Sequence, residues 1–236
     1  MMSLLSVEKI NTFYDVFHAI FDVSLALDPV QVVCLLGRNG AGKTTTLNSI
    51  VGLNPPRSGR VVYRDTEITG KKPYRVARLG IGYVPETRWI FPDLTVEENL
   101  ELGDRQRDKK KYAGKLAKVF DLFPRLEALK QHIGGKLSGG EQQMLTIARS
   151  LMAEPDLLLL DELTTGLAPI IVNLLKRQVA TLKREGLTML LTEQNALFAL
   201  DISDRAYVID KGAIVYSGEV ESLKAAPHIM KEYLGV

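Results

Sequence analysis

Gly37-Arg-Asn-Gly-Ala-Gly-Lys-Thr-Thr45 decides the fold of this chain. It fits the phosphate-loop pattern G-x-x-x-x-G-K-[ST] at Gly37, Gly42, Lys43 and Thr44. Before it runs the apolar stretch Val32-Val33-Cys34-Leu35-Leu36, which reads as a buried strand. After it Thr46, Leu47, Ile50, Val51 and Leu53 recur at helical spacing. A glycine-rich loop between strand and helix turns backbone N–H groups inward around a polyphosphate. The helix adds the positive end of its dipole. Lys43 brings a full charge, and Thr44 offers a hydroxyl to Mg²⁺. Arg38, Asn39, Gly40, Ala41 and Thr45 complete the predicted nucleotide cradle.

A second signal is Asp161-Glu162, which ends the apolar run Asp156-Leu-Leu-Leu-Leu-Asp161. Such a run is typical of a parallel strand buried on both faces. A carboxylate at the C-terminal end of that strand faces the ligand crevice. Alone, the pair would read as an acidic helix cap. Beside a phosphate loop, Asp161 can hold Mg²⁺ opposite Thr44, and Glu162 can polarise an attacking water as general base.

Leu137-Ser-Gly-Gly-Glu-Gln142 is the third signal. Ser138 and Glu141 fit a capping box, so the segment reads equally as a well-capped helix start. Yet Gly139 and Gly140 expose backbone N–H groups, which makes it a second anion site. One ATP cannot fill two such helix starts within one subunit. A nucleotide shared between two subunits is the economical inference.

Around these signals the chain alternates strands and helices, which implies an α/β fold with a mostly parallel core sheet. Residues from about Leu4 to Val33 read as short strands, and Phe21–Leu27 alternates as half-buried antiparallel strands do. Further strands are expected at Arg60–Tyr63, Gly80–Val84 and Leu187–Thr192, and a hairpin around Asp210-Lys-Gly212. Thr95 and Glu98 form a second capping box, and Leu116, Val119, Phe120 and Phe123 recur at helical spacing. Helices are also expected over Ile170–Glu185 and, closing the chain, Glu221–Leu234. We therefore expect one domain over 1–236, its core with an antiparallel part at about 1–90 and 154–236, and an inserted helical subdomain at about 91–153.

The composition is that of an ordinary globular chain, 46% hydrophobic and 25% charged over 236 residues. A net charge of +2 gives no support for a nucleic-acid partner. The basic run Arg105, Arg107, Lys109, Lys110 and Lys111 has no interleaved aromatics and reads as a solvated loop. Cys34 is expected to be inert core. No signal peptide is visible, and no apolar run approaches the roughly 20 residues that cross a bilayer. Any service to a membrane is expected to go through partners.

The order Gly37–Thr45, Leu137–Glu141, Leu157–Glu162 resembles the ATP-binding cassette ATPases, with Walker A, signature and Walker B motifs in sequence. The resemblance covers nearly the whole chain. It implies a P-loop NTPase with a RecA-like core, ATP and Mg²⁺ as cofactors, and a head-to-tail dimer in which Ser138-Gly-Gly140 contacts the γ-phosphate held by the other subunit. Tyr14 falls where the family places an aromatic that stacks on adenine. Glu86 stands where most members have the glutamine that senses Mg²⁺ and couples to the membrane subunit. Gln194 stands where a histidine normally contacts the γ-phosphate. Ala168 replaces an aspartate of the dimer-interface loop, and Glu141 the last glutamine of the signature.

Val84-Pro-Glu86, Leu137–Met144, Gly166–Ile171 and Glu193-Gln-Asn195 look like the second ATPase subunit of high-affinity branched-chain amino-acid importers. Leu163, where a proline usually follows the catalytic glutamate, and Pro29-Val30, where a Gly-Glu turn is usual, depart even from that subgroup. What the resemblance implies is a transport ATPase peripheral to the cytoplasmic face of the membrane. Its partners would be a second ATPase subunit (a paralogue, or itself as a homodimer), two membrane permease subunits and, indirectly, a periplasmic solute-binding protein. A cassette for urea, amides or aromatic acids, an export or lipid-extraction cassette, and a non-transport member of the family are the alternatives.

Overall fold

The computed structural model of the protein describes residues 3–105 and 109–235. Near the N-terminus, alternation builds two long antiparallel strands, β1 (Leu5–Tyr14) and β2 (Phe17–Leu27), paired from Leu5↔Leu27 to Tyr14↔Phe17. They are longer than the short strands expected, because inward Leu5, Val7 and Ile10 pair with Leu27, Leu25 and Val23 along most of their length. The buried run Val32–Leu36 forms β3, and α1 (Lys43–Val51) follows the phosphate loop. Then β4 (Ser58–Tyr63) lies on the other side of β1 and turns through Arg64 and Asp65 into β5 (Thr66–Glu67). Both turn residues have positive φ, 46° and 59°, as a two-residue hairpin requires.

The core sheet collects its strands from along the chain. In order come α2 (Pro73–Arg78), β6 (Ile81–Val84), α3 (Val96–Gly103), α4 (Lys109–Leu122), α5 (Pro124–Ala128), α6 (Gly139–Leu151) and β7 (Leu157–Asp161). They are followed by α7 (Pro169–Arg184), β8 (Thr188–Glu193), α8 (Ala196–Ile202), β9 (Arg205–Asp210), β10 (Ala213–Glu219), α9 (Val220–Lys224) and α10 (Pro227–Ile229). The six-stranded sheet runs β10-β9-β3-β8-β7-β6, parallel throughout except for β10 at its edge.

Period two explains why the core strands are apolar at every position. Cys34, Leu36, Leu158, Leu160, Met189 and Leu191 face a layer that includes Leu100, Phe123, Leu145 and Val179 from the helices. The alternate residues Val33, Leu35, Leu157, Leu159 and Leu190 face a second layer with Leu5, Ile10, Val61 and Tyr63 of the antiparallel sheet. The central sheet is thus covered on both sides. The phosphate loop, Asp161-Glu162 and Gln194 emerge at the C-terminal ends of β3, β7 and β8, whereas the Leu137–Gln142 signal opens α6. Cys34 is buried, and burial pushes its thiol up to about 12, consistent with inert core.

Two local expectations are corrected. Lys109–Lys111 open α4 rather than forming a loop; Arg105 lies in a bend and donates to the Ala153 carbonyl, and Arg107 lies outside the described residues. The C-terminal segment is not one helix. It divides at Pro227 into α9 and a second helical stretch, α10 continued by a π-helix over Met230–Leu234. Pro227 causes the break: the residue before a proline is pushed from helical geometry, and Ala226 sits at φ −115°, ψ 70°.

The unusual Pro29-Val30 has a measurable cost. Val30 adopts φ 63°, a conformation that a β-branched side chain tolerates poorly. Its amide is needed there, donating to Thr188 Oγ1 at 2.9 Å. Val30→Gly is expected to raise unfolding stability by about 1 kcal/mol, read from chemical denaturation. An unchanged or lower midpoint would mean that the turn is unstrained.

Candidate active site

The phosphate loop is braced on two sides. Gly212 N donates to the Ala41 carbonyl at 2.9 Å, and the Arg38 guanidinium donates to the Glu232 carbonyl at 3.2 Å. Gly42 caps α1 at φ 111°, which an L side chain rarely adopts. Lys43 is 5% exposed and turns back on its own loop. Its Nζ donates to the Gly37 carbonyl at 2.7 Å and the Arg38 carbonyl at 3.0 Å, and pairs with Glu162 Oε1 at 2.9 Å. All three ammonium donors therefore have partners.

The acidic side is built by the ends of β7 and β8. Thr44 Oγ1 donates to Asp161 Oδ1 at 3.1 Å, Thr192 Oγ1 to the same oxygen at 2.6 Å, and Tyr83 Oη to Asp161 Oδ2 at 3.4 Å. Burial raises the Asp161 pKa, partly offset by these hydroxyl donors. Hydroxyl Thr44 against carboxylate Asp161 is an all-oxygen donor pair, which fits a hard divalent cation such as Mg²⁺ completed by substrate phosphates and water. Among the described residues no group of three His, Cys, Asp or Glu side chains gathers into a metal cage.

Glu162 is 8% exposed and has φ 49°. Its carboxylate accepts from Thr165 Oγ1 at 3.2 Å besides meeting Lys43. Its backbone N–H donates to the Thr192 carbonyl at 3.0 Å. Next along β8, the fully buried Glu193 accepts from the Thr164 N–H and from Thr164 Oγ1, both at 2.9 Å. Leu163, in the place of the usual proline, is fully buried in the helix-side apolar layer.

One cavity of about 660 Å³ brings most of the sequence-predicted residues together: Tyr14, Asn39, Gly40, Gly42, Lys43, Thr44, Thr45, Glu86, Glu162 and Gln194. Tyr14 is half exposed there, with its Oη 3.5 Å from Thr45 Oγ1. Glu86 and Gln194 are both exposed on the wall. Phe17, His18, Phe21, Thr165 and Lys211 also line the cavity, and the sequence reading did not single them out. The signal for three of them was present. Phe13, Tyr14, Phe17, His18 and Phe21 crowd one hairpin, where His18 stacks on Phe13 at 4.0 Å and leans on Phe21 at 3.9 Å.

Ser138, Gly139, Gly140 and Glu141 do not line this cavity. They form the start of α6, and the capping box is complete: Ser138 N donates to Glu141 Oε2 at 2.9 Å and Glu141 N to Ser138 Oγ at 3.4 Å. Arg125 pairs with Glu141 at 2.9 Å. Arg88 connects this helix start to the loop after β7 that carries Glu162. It donates to Gln143 Oε1 and to the Thr165 carbonyl, both at 3.2 Å. A Cβ on Gly139 would come within 2.7 Å of its guanidinium, so a larger residue there would shift the end of the Arg88 side chain.

The family described as ABC transporter matches residues 20–165. The chain is 44% identical to the high-affinity branched-chain amino acid transport ATP-binding protein BraG of Pseudomonas aeruginosa, over 98% of this chain and 100% of that protein. It is 36% identical to the lipopolysaccharide export system ATP-binding protein LptB of Haemophilus influenzae, over 99% and 98% of the two chains. Among solved structures, the ADP conformation of MJ1267, an ATP-binding cassette of an ABC transporter, superposes with a TM-score of 0.85 at 27% identity, covering 98% of each chain.

The buried Glu193 carries a pH signature. Burial pushes its carboxyl from 4.5 up to about 7, against the opposing pull of the Thr164 donors. An acid whose native pKa exceeds its unfolded value stabilises the fold while protonated, fully below the unfolded pKa, and loses that contribution as pH rises through the native one. The melting temperature of wild type relative to Glu193→Gln should therefore fall as pH rises from about 5 to about 8. A pH-independent difference would show that Glu193 titrates normally.

Proposed function

The chain belongs to the ABC transporter family as an ATP-hydrolysing, ATP-binding subunit, and from that membership we propose that it energises uptake of branched-chain amino acids. One observation carries the dimeric mechanism: the Ser138-Gly-Gly140 helix start lies outside the cavity that holds the phosphate loop. A nucleotide contacted by both needs a second subunit, either a paralogue or a second copy. The likeness to BraG, named for branched-chain amino acid transport, favours that cargo. The likeness to LptB, named for lipopolysaccharide export, keeps export as the second reading.

In this reading ATP lies with its base against Tyr14 and its phosphates in the loop Gly37–Thr45. Thr44 and Asp161 would hold Mg²⁺, with Glu86 on the same wall, and the bound ion would neutralise charge on the β- and γ-phosphates. Polyphosphate draws Lys43 away from the Gly37 and Arg38 carbonyls and from Glu162. The same movement frees the Glu162 carboxylate to take a proton from the attacking water. Lys43 and the partner's Ser138-Gly-Gly140 N–H groups then stabilise charge on the departing phosphates. Gln194 can donate a neutral hydrogen bond but no charge to the γ-phosphate.

Coupling to transport runs through residues 83–91. Tyr83 reaches Asp161 at one end, and Tyr83, Trp89 and Phe91 line a separate groove of about 450 Å³ with Leu53, Val76 and Leu102. Leu53, Trp89, Phe91 and Leu102 are exposed. This apolar groove takes a helix of the membrane permease subunit, and the chain works as a peripheral subunit on the cytoplasmic face. Among the described residues no helix is long and apolar enough to cross a membrane.

Glu162→Gln is expected to lower ATP turnover by roughly 10²–10⁴-fold, the usual range for a lost general base. Near-normal hydrolysis would discredit that role. Gln194→His should speed turnover of the isolated subunit by restoring a charge-assisted bond. No gain, or a loss, counts against the reading of Gln194. Affinity capture from solubilised membranes should return a second ATPase, two permeases and an amino-acid-binding protein. Recovery of lipid-export components instead would move the chain to the second reading.

A further inference from the structure

The end of β8 touches the catalytic loop at successive residues. Thr192 holds Asp161 through its hydroxyl, at 2.6 Å, and the Glu162 N–H through its carbonyl, at 3.0 Å. Glu193 then holds Thr164, two residues beyond Glu162, at two points. One buried carboxyl at the end of β8, next to Gln194, thus holds the loop that carries Glu162.

The geometry between these two anchors needs holding. Glu162 sits at φ 49°, a conformation that a non-glycine residue keeps only when its surroundings over-determine it. On its N-terminal side Glu162 is fixed by the Asp161 and Glu162 bonds to Thr192. On its C-terminal side comes Leu163, which has no proline ring to fix its φ. The two bonds from Thr164 to Glu193 supply the missing constraint.

We infer that Glu193 is a positioning residue for hydrolysis: its two-point grip on Thr164 clamps the turn that aims Glu162 at the attacking water. Glu193 itself lies fully buried beneath the turn and does not line the nucleotide cavity. It acts through Glu162, so the inference rests on the reading of Glu162 as general base. The grip needs shape more than charge. A glutamine can accept from the Thr164 N–H with its carbonyl and donate to Thr164 Oγ1 with its amide, since a threonine hydroxyl serves as donor or acceptor.

The test is steady-state ATP hydrolysis by the assembled transporter, with ATP affinity and melting temperature measured alongside. Glu193→Ala should lower kcat at least tenfold, the order expected when a reacting group is misplaced by about 1 Å, and change ATP affinity less than threefold. Glu193→Gln should keep kcat within about threefold of wild type, because it retains both bonds. Thr164→Val removes one bond without emptying a buried site, so it tests the grip even if Glu193→Ala fails to fold; it should lower kcat with affinity unchanged. In a Glu162→Gln background, Glu193→Ala should add less than a twofold loss, since the group it positions is gone. The inference falls if folded Glu193→Ala or Thr164→Val hydrolyses like wild type, if kcat and affinity fall in proportion, or if the loss is undiminished in the Glu162→Gln background. Normal turnover by Glu162→Gln alone would instead remove the general-base reading.

Discussion

The pairing of Lys43 with Glu162, 2.9 Å apart and both nearly buried, is the constraint around which the site is organised. Neither charge could sit alone in that environment without a large desolvation cost. The Lys43 ammonium is held by one carboxylate and two loop carbonyls, and the Glu162 carboxylate by that ammonium and the Thr165 hydroxyl. In the proposed mechanism, binding of a polyanion and exposure of the base would be two results of one exchange of partners.

Everything else serves to bring those two groups from distant parts of the chain to one point. Five parallel strands end at a common edge, and β3, β7 and β8 each deliver a piece of the site there. The apolar layers on both faces fix the strands in register, so a loop anchored to one strand end is anchored to the next. Thr192 and Glu193 illustrate this: the last two residues of β8 hold Asp161 at the end of β7 and Thr164 just beyond it. Arg88 extends the connection from the loop after β7 to the start of α6, the surface that a second subunit is proposed to use.

Much of this was legible because its signals are local. Gly37–Thr45, Leu157–Glu162 and the two capping boxes each lie within about nine consecutive residues, so spacing alone reveals them. What stayed hidden depends on contacts across the sequence. Glu193 and Thr164 are far apart in the chain, and nothing near either one announces the other. Lys211 enters the cavity only because its hairpin packs on Ala41. Pro227 is a different case. The break it causes was written in the sequence, but the apolar residues around it resemble a continuous amphipathic helix. Val30 and Leu163 show that unusual residues can occupy the expected backbone path, one at the cost of strain and the other by filling apolar space.

Cys34 lies in the middle of the central sheet, its side chain sealed in the helix-side apolar layer and its thiol too basic to ionise at neutral pH. It is the chain's sole sulfhydryl. Thiol-directed reagents will consequently find the native surface blank. Cysteines engineered singly at the phosphate-loop rim and at the α6 helix start could be labelled, or bridged between copies, without first deleting anything from the interior.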